Sequence, residues 1–93
     1  MMLDKIGAPA MLEQLAEEAT ELAKSALKMA RVMRGENPTP VTRVQAFNSL
    51  SEEYTDVVQC ARELRLVQNE EQITRKEMRF AERWEAFKNG KMA

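Results

Sequence analysis

The sequence contains no histidine and only one cysteine, Cys60, among its 93 residues. The absence of histidine excludes serine–histidine and thiol–histidine catalysis. A lone cysteine can form neither a disulfide within the chain nor the ligand set of a zinc finger. The main reactive groups that remain are carboxylates, from 15 aspartates and glutamates. Any catalytic or metal-binding chemistry is therefore expected to depend on acidic side chains.

Strong net charge and long apolar runs are also missing. The net charge is −1 and the pI is near 5.5, so no strong positive field attracts nucleic acid, and we expect none to bind. No apolar run approaches the roughly 20 residues that cross a bilayer, and the N-terminus lacks the apolar core of a signal peptide. These observations predict a cytoplasmic protein that does not associate with a membrane.

Only five residues are aromatic, while seven are methionine and 44% of the chain is apolar. A lone domain of this length buries only roughly 60% of its unfolded surface, and methionines give an adaptable interior. We expect residues 1–93 to form a single domain with a thin core. Such a core is expected to be completed by other copies of the chain.

Helical periodicity dominates what is present. Apolar residues recur at steps of three and four from residue 9 to residue 33, with Pro9 suited to a first turn and Gly35 to a left-handed cap. A second series runs over residues 50–66. A third follows Asn69, whose spacing to Gln72 is typical of an N-terminal cap, and stops at Asn89-Gly90. No strand-like alternation competes, so the sequence predicts an all-α, antiparallel helical bundle.

The start of the second helix has two interpretations. Thr39 followed by Pro40 can cap a helix, whereas Ser49 and Glu52 form a separate capping-box pattern. Residues 41–48 therefore either begin the second long helix or form a short helix of their own.

Two acidic motifs stand on the first two predicted helices, Glu17-Glu18-Ala19-Thr20-Glu21 and Glu52-Glu53-Tyr54-Thr55-Asp56. Carboxylates three residues apart lie one helical turn apart on neighbouring ridges. Glu18 and Glu53 also lie at the margins of the two apolar stripes, so packing of the stripes brings the carboxylates together. Each motif alone is commonly no more than solvated surface charge.

Oxygen ligands without histidine or thiolate favour Mg²⁺, or alternatively Mn²⁺. Mg²⁺ accepts phosphate oxygens, so the predicted metal site could bind a nucleoside triphosphate, polarise a phosphoryl group and activate water. Glu17 or Glu21 could orient that water.

These motifs resemble the MazG-type all-α nucleotide pyrophosphohydrolases, whose signature is Glu-Glu-x-x-Glu followed by Glu-x-x-Asp on a later helix. The likeness covers most of residues 12–84 and includes Lys76, Arg83 and Trp84 in the last helix. It implies Mg²⁺ ligation by Glu18, Glu21, Glu53 and Asp56, with Glu17 assisting. It further implies cleavage between the α and β phosphates, and a homodimer or homotetramer of interlocked helices.

The sequence departs from this family in two places. The gap between the motifs is longer than usual, and Phe80 stands where many members have asparagine, so base recognition is left open. Candidate substrate contacts are Lys24, Lys28, Lys76, Arg83 and Trp84; surface solubility for the cations and core packing for Trp84 are the alternatives. Two rival functions are kept in view, a phosphoribosyl-ATP pyrophosphatase and a non-catalytic helical oligomerisation module.

Overall fold

The computed structural model describes residues 1–36 and 40–90, and these residues form helices joined by short turns and loops. In the described ranges the helices are α1 (Met2–Ile6), α2 (Ala8–Arg34), α3 (Arg43–Glu63) and α4 (Glu70–Lys88). The predicted all-α class is confirmed. The short α1 was not predicted, because its five residues are too few to show a helical period.

Both predicted ends of α2 are present. Pro9 lies in the first turn, where its missing N–H group leaves no hydrogen bond unmade. Gly35 has a φ of 71°, and the N–H groups of Gly35 and Glu36 donate to the carbonyls of Val32 and Arg31. This left-handed cap satisfies two of the last carbonyls of the helix, which is why α2 ends at Arg34.

The structure decides between the two interpretations of α3 in favour of one continuous helix. The Thr42 side chain accepts from the N–H of Gln45 at 3.1 Å, and the Gln45 side chain accepts from the N–H of Thr42 at 3.0 Å. This reciprocal capping box begins the helix at Arg43, so Ser49 is an interior residue. Thr39, the alternative cap, lies outside the described residues.

The third predicted helix is confirmed as α4. The side-chain carbonyl oxygen of Asn69 accepts a hydrogen bond from the backbone N–H of Gln72 at 3.0 Å, as the spacing predicts. At the other end Gly90 takes a φ of 70° and donates to the carbonyl of Phe87. Local signals thus fix both ends of α4.

Packing is concentrated in α1, α2 and α3. Helix α2 runs along α3, and α1 lies against α2. Glu18 shares a cavity with Asp56 and Lys28 shares one with Ala46, so α2 and α3 run in opposite directions. The buried apolar residues that the structure describes are few, namely Met11, Ala46 and Cys60, and of these Met11 is fully buried.

Within residues 1–36 and 40–90, helix α4 makes no comparable contact with another helix, and all of its residues except Ala86 are exposed. The radius of gyration is 17.8 Å, whereas a compact chain of this length has about 12 Å. A bundle that includes α4 therefore stays a prediction. In the described parts of the chain, no helix has the length and apolar character needed to traverse a bilayer.

Candidate metal centre

Three carboxylates from the two predicted motifs meet between α2 and α3. Glu18, Glu53 and Asp56 each offer one oxygen, and these oxygens lie within 4.8 Å of one another. Glu53 and Asp56 are one turn apart on α3, and Glu18 reaches the same point from the facing helix. Since Glu18 and Glu53 lie at the margins of the packed faces, both are half-buried, whereas Asp56 is exposed.

The donor set fits a hard divalent cation. All three candidate ligands are carboxylate oxygens, which suit Mg²⁺ and Mn²⁺ better than zinc or copper. Two oxygens on opposite sides of one Mg²⁺ are about 4.2 Å apart, so small side-chain rotations would bring the three oxygens of this cluster into range. Three protein ligands would also leave coordination positions for water and phosphate oxygens.

The electrostatics of the cluster also favour a bound cation. Partial burial raises the pKa of Glu53 above its ordinary value, and the negative charges of Asp56 and Glu18 raise it further. More distant Glu21 and Glu52 act in the same sense. The folded chain thus holds Glu53 where its charged form is disfavoured, and a bound cation would remove that penalty.

The remaining two members of the first motif are not part of the three-carboxylate group. Glu21 is exposed and pairs with Lys24 at 3.5 Å, an interaction within one turn of α2. It nevertheless lies close enough to Glu53 to raise the pKa of that carboxyl. Glu17 is exposed. The structure therefore brings together three of the four carboxylates expected to bind metal and leaves Glu21 at the edge.

Sequence reasoning missed a neighbour of the cluster, Gln14. Its side-chain amide donates to Glu18 Oε1 at 2.8 Å and fixes the position of that carboxylate. The signal was available, because a glutamine four residues before a glutamate lies beside it on a helix.

One side of the cluster opens into a cavity of about 220 Å³. Glu18 and Asp56 line it together with Gln14, Gln59, Cys60 and the apolar side chains of Met2, Ile6 and Met11. Burial raises the pKa of the Cys60 thiol, and the charges of Glu18 and Asp56 add to this effect. Cys60 is thus held as a neutral thiol, a poor nucleophile, and serves as part of the cavity wall.

A second cavity, of about 210 Å³, lies next to Glu53. It is lined by Ser25, Lys28, Val41, Ala46, Ser49 and Glu53. Lys28 is therefore the predicted substrate cation that the structure places beside a member of the cluster. Sequence reasoning missed the two serines, whose hydroxyl groups share this cavity, because isolated serines on a helix give no distinctive pattern.

Three of the other predicted substrate residues stand on α4, away from the packed α2–α3 pair, whereas Lys24 is exposed on α2 and pairs with Glu21. Lys76 and Arg83 line a groove of about 260 Å³ with Gln72, Arg79 and Phe80. Trp84 stacks between Phe80 and Phe87, with ring centroids 6.3 and 5.8 Å apart. The structure thus separates the candidate substrate contacts into a group near the cluster and a group on an unpacked helix.

Comparison with protein-family models, curated proteins and solved structures gives no match to this chain. The resemblance to MazG-type pyrophosphohydrolases accordingly rests on the motif residues themselves. What the structure adds is the proximity of Glu18, Glu53 and Asp56.

Proposed function

We propose that this chain is a Mg²⁺-dependent, cytoplasmic nucleotide pyrophosphohydrolase that converts a nucleoside or deoxynucleoside triphosphate to its monophosphate and pyrophosphate. The observation that carries the proposal is the meeting of three carboxylates from two helices within 4.8 Å. The raised pKa of Glu53 supports it, since the protein maintains a concentration of negative charge that a divalent cation would stabilise. The spacing of the two acidic motifs supports it as well.

In this proposal Glu18, Glu53 and Asp56 would hold the ion, and Glu21 would join them after leaving its pair with Lys24. The bound ion would polarise a phosphoryl group and lower the pKa of a water molecule. Glu17 or Glu21 would orient that water towards the α-phosphorus and accept its proton. The water oxygen would form a bond to this phosphorus while the bond to the bridging oxygen breaks, so that the monophosphate keeps the water oxygen and pyrophosphate leaves.

The two cavities beside the cluster suit the two ends of such a substrate. The cavity next to Glu53 offers an ammonium group from Lys28 and hydroxyl groups from Ser25 and Ser49, all of which can donate to phosphate oxygens. The cavity next to Glu18 combines apolar side chains with the amides of Gln14 and Gln59, a lining that suits a base. The cluster lies between them, where the scissile bond is expected.

The test is an assay of the purified protein against a panel of ribo- and deoxynucleoside triphosphates, with Mg²⁺, with Mn²⁺ and with a chelator. We expect release of pyrophosphate and monophosphate in equal amounts, and none with the chelator. Glu18→Gln and Asp56→Asn should each lower kcat by at least about a hundredfold, because each removes a ligand of the ion that stabilises the developing charge.

Glu13→Gln is the matched control, since Glu13 is an exposed carboxylate of the same helix that lies about 140° from Glu18 on a helical wheel. It should leave kcat unchanged. No pyrophosphate from any nucleotide in the panel, or full activity in both cluster variants, would remove the proposal.

Measurements on the same purified protein distinguish the proposal from the two rival functions. Phosphoribosyl-ATP as the preferred substrate would favour the pyrophosphatase that shares this acidic motif. The exposed, unpacked α4 favours the second rival, a helical oligomerisation module without catalysis. That rival predicts no rise in melting temperature with Mg²⁺, whereas binding at a hundred times the dissociation constant stabilises a fold by about 2.7 kcal/mol.

A further inference from the structure

The chain exposes far more surface than a compact monomer of its mass. Its accessible surface is 7787 Å² at 10.7 kDa, whereas the scaling law for folded monomers gives about 5,500 Å². The difference is about 2,300 Å² per chain, well beyond the roughly 800 Å² that each partner contributes to a standard interface. An excess of this size is typical of a subunit that folds together with its partner.

Much of the excess is apolar and lies on α4. Its side chains Ile73, Phe80, Trp84 and Phe87 form what we call the aromatic ridge, and all four are exposed. With Glu77 they follow alternating steps of four and three residues, the spacing of a seam between packed helices. In the described structure no other helix covers this seam.

A second exposed apolar surface lies on α3. Val44, Phe47 and Tyr54 form this outer stripe, on a side of α3 different from the one that packs on α2. On a helical wheel the outer stripe lies more than about 100° from the face that contains Ala46, Glu53 and Cys60, except for Tyr54 at its margin. The α2–α3 pair therefore presents apolar surface that α2 does not cover.

We propose that the aromatic ridge of α4 docks on a second copy of this chain, against the outer stripe of its α3. Each chain carries both surfaces, so a two-fold dimer forms the same contact twice and covers both surfaces in both copies. A contact of α4 with α4 alone would leave the outer stripe exposed and use only one face of a helix about 28 Å long. The reciprocal contact accounts better for the excess area.

The lack of a packed face on α4 also supports a second copy of the chain as its binding partner. Most of the stability of a helix in a protein comes from packing of its apolar face, and within the described residues the 19 residues of α4 have caps but no packed face. Docking on another copy supplies the missing burial. Because the contact is proposed from shape and exposure, it does not depend on the proposed catalytic activity.

The experiment measures mass and the environment of Trp84, the sole tryptophan of the chain. Sedimentation equilibrium of the full chain, across a dilution series from high to low micromolar concentration, should give twice the 10.7 kDa chain mass or an even multiple of it. Tryptophan emission should shift to the red as dissociation proceeds. A mass of one chain throughout the series, with emission typical of solvated indole, overturns the proposal.

Phe80→Glu tests the ridge, and Met78→Glu is its matched control. The two side chains stand on the same helix with similar exposure, 67% and 58%, but point to opposite sides of it. Phe80→Glu should give monomers, whereas Met78→Glu should not change the mass. Because Phe80 packs on no other described helix of its own chain, loss of association in its variant cannot be attributed to loss of the α2–α3 core. Equal behaviour of the two variants overturns the proposal.

Phe47→Glu tests the outer stripe, with Asn48→Glu as a control on the adjacent face of α3. Phe47→Glu should give monomers and should shift Trp84 emission to the red, although the two residues are far apart in the sequence. Unchanged mass and emission in the Phe47 variant contradict docking on α3.

Circular dichroism of each monomeric variant should retain the signal of α2 and α3 while losing part of the signal of α4. Phe80→Ala, the milder change, should raise the dissociation constant at least about tenfold.

Discussion

The α2–α3 pair and α4 are built by the same local rules but differ in packing. Both regions consist of amphipathic helices with well-formed caps, Thr42 on α3 and Asn69 on α4. In the pair, Met11, Ala46 and Cys60 are buried between helices. On α4, by contrast, apolar side chains as large as Phe80 and Trp84 are exposed. Amphipathicity thus specifies that a helix needs a partner without specifying which one.

This difference separates the candidate functional residues as well. Glu18, Glu53, Asp56 and Lys28 depend on the α2–α3 pair, which is formed within one chain. Lys76 and Arg83 stand on α4, which packs on no other helix in the described part of the chain. If α4 docks on a second copy, its cations belong to a surface that exists only in the dimer.

We expect the largest difference between the two regions in the free energy of unfolding, when a methionine in each is replaced by alanine. Met11→Ala should lower the free energy of unfolding by about 2–5 kcal/mol, because Met11 is fully buried and its truncation leaves a cavity. Met78→Ala, on the exposed side of α4, should change it by less than about 0.5 kcal/mol. Urea unfolding followed by circular dichroism measures both. Similar losses for the two variants would show that α4 is packed on its outer side also.

A smaller effect is expected from removing the two caps. Thr42→Ala should cost about 1 kcal/mol, since it leaves the N–H of Gln45 without its acceptor at the start of a packed helix. Asn69→Ala removes the equivalent acceptor for Gln72. At concentrations where the chain is dissociated, the Asn69 variant should lose helical signal without shifting the unfolding midpoint of α2 and α3. A shift of that midpoint equal to that of Thr42→Ala would mean that α4 unfolds together with the pair.

The comparison of the two regions also explains what the sequence could predict. Caps are local, so Pro9, Gly35 and Asn69 marked helix ends that the structure confirms. The start of α3 was left open between Thr39 and Ser49, and the capping box of Thr42 and Gln45 that begins the helix was missed. Choosing between overlapping local signals requires knowledge of which residues pack.

The proximity of Glu18, Glu53 and Asp56 followed from spacing, since both motifs flank apolar stripes that pack on each other. Spacing could not place Glu21, whose exposed carboxylate pairs with Lys24. Neither could it show that α4 stands apart, because the same periodicity is compatible with packing on its own chain or on another. Contacts between elements distant in sequence depend on shape, and periodicity carries no information on shape.

The smallest effect concerns the pH dependence of stability at Glu53. Its pKa is raised in the folded chain by partial burial and by Asp56 and Glu18, so folding favours the protonated form. Stability from this group is complete below the ordinary carboxyl pKa and is lost as the pH rises through the raised folded-state pKa. Glu53→Gln cannot ionise and should avoid that loss.

Without divalent cations, we therefore expect Glu53→Gln to melt at a slightly higher temperature than the unmodified chain at neutral pH, with the difference vanishing near pH 4. Saturating Mg²⁺ should reverse the order, because the ion binds the ionised carboxylate and stabilises only the chain that retains it. Glu13→Gln, a change at an exposed carboxylate outside the cluster, should show neither change. Thermal melts at several pH values, with and without Mg²⁺, measure the difference in melting temperature and its reversal by the ion. A Glu53→Gln variant that is less stable than the unmodified chain in the absence of metal would show that the ionised carboxylate is stabilised by contacts within the protein.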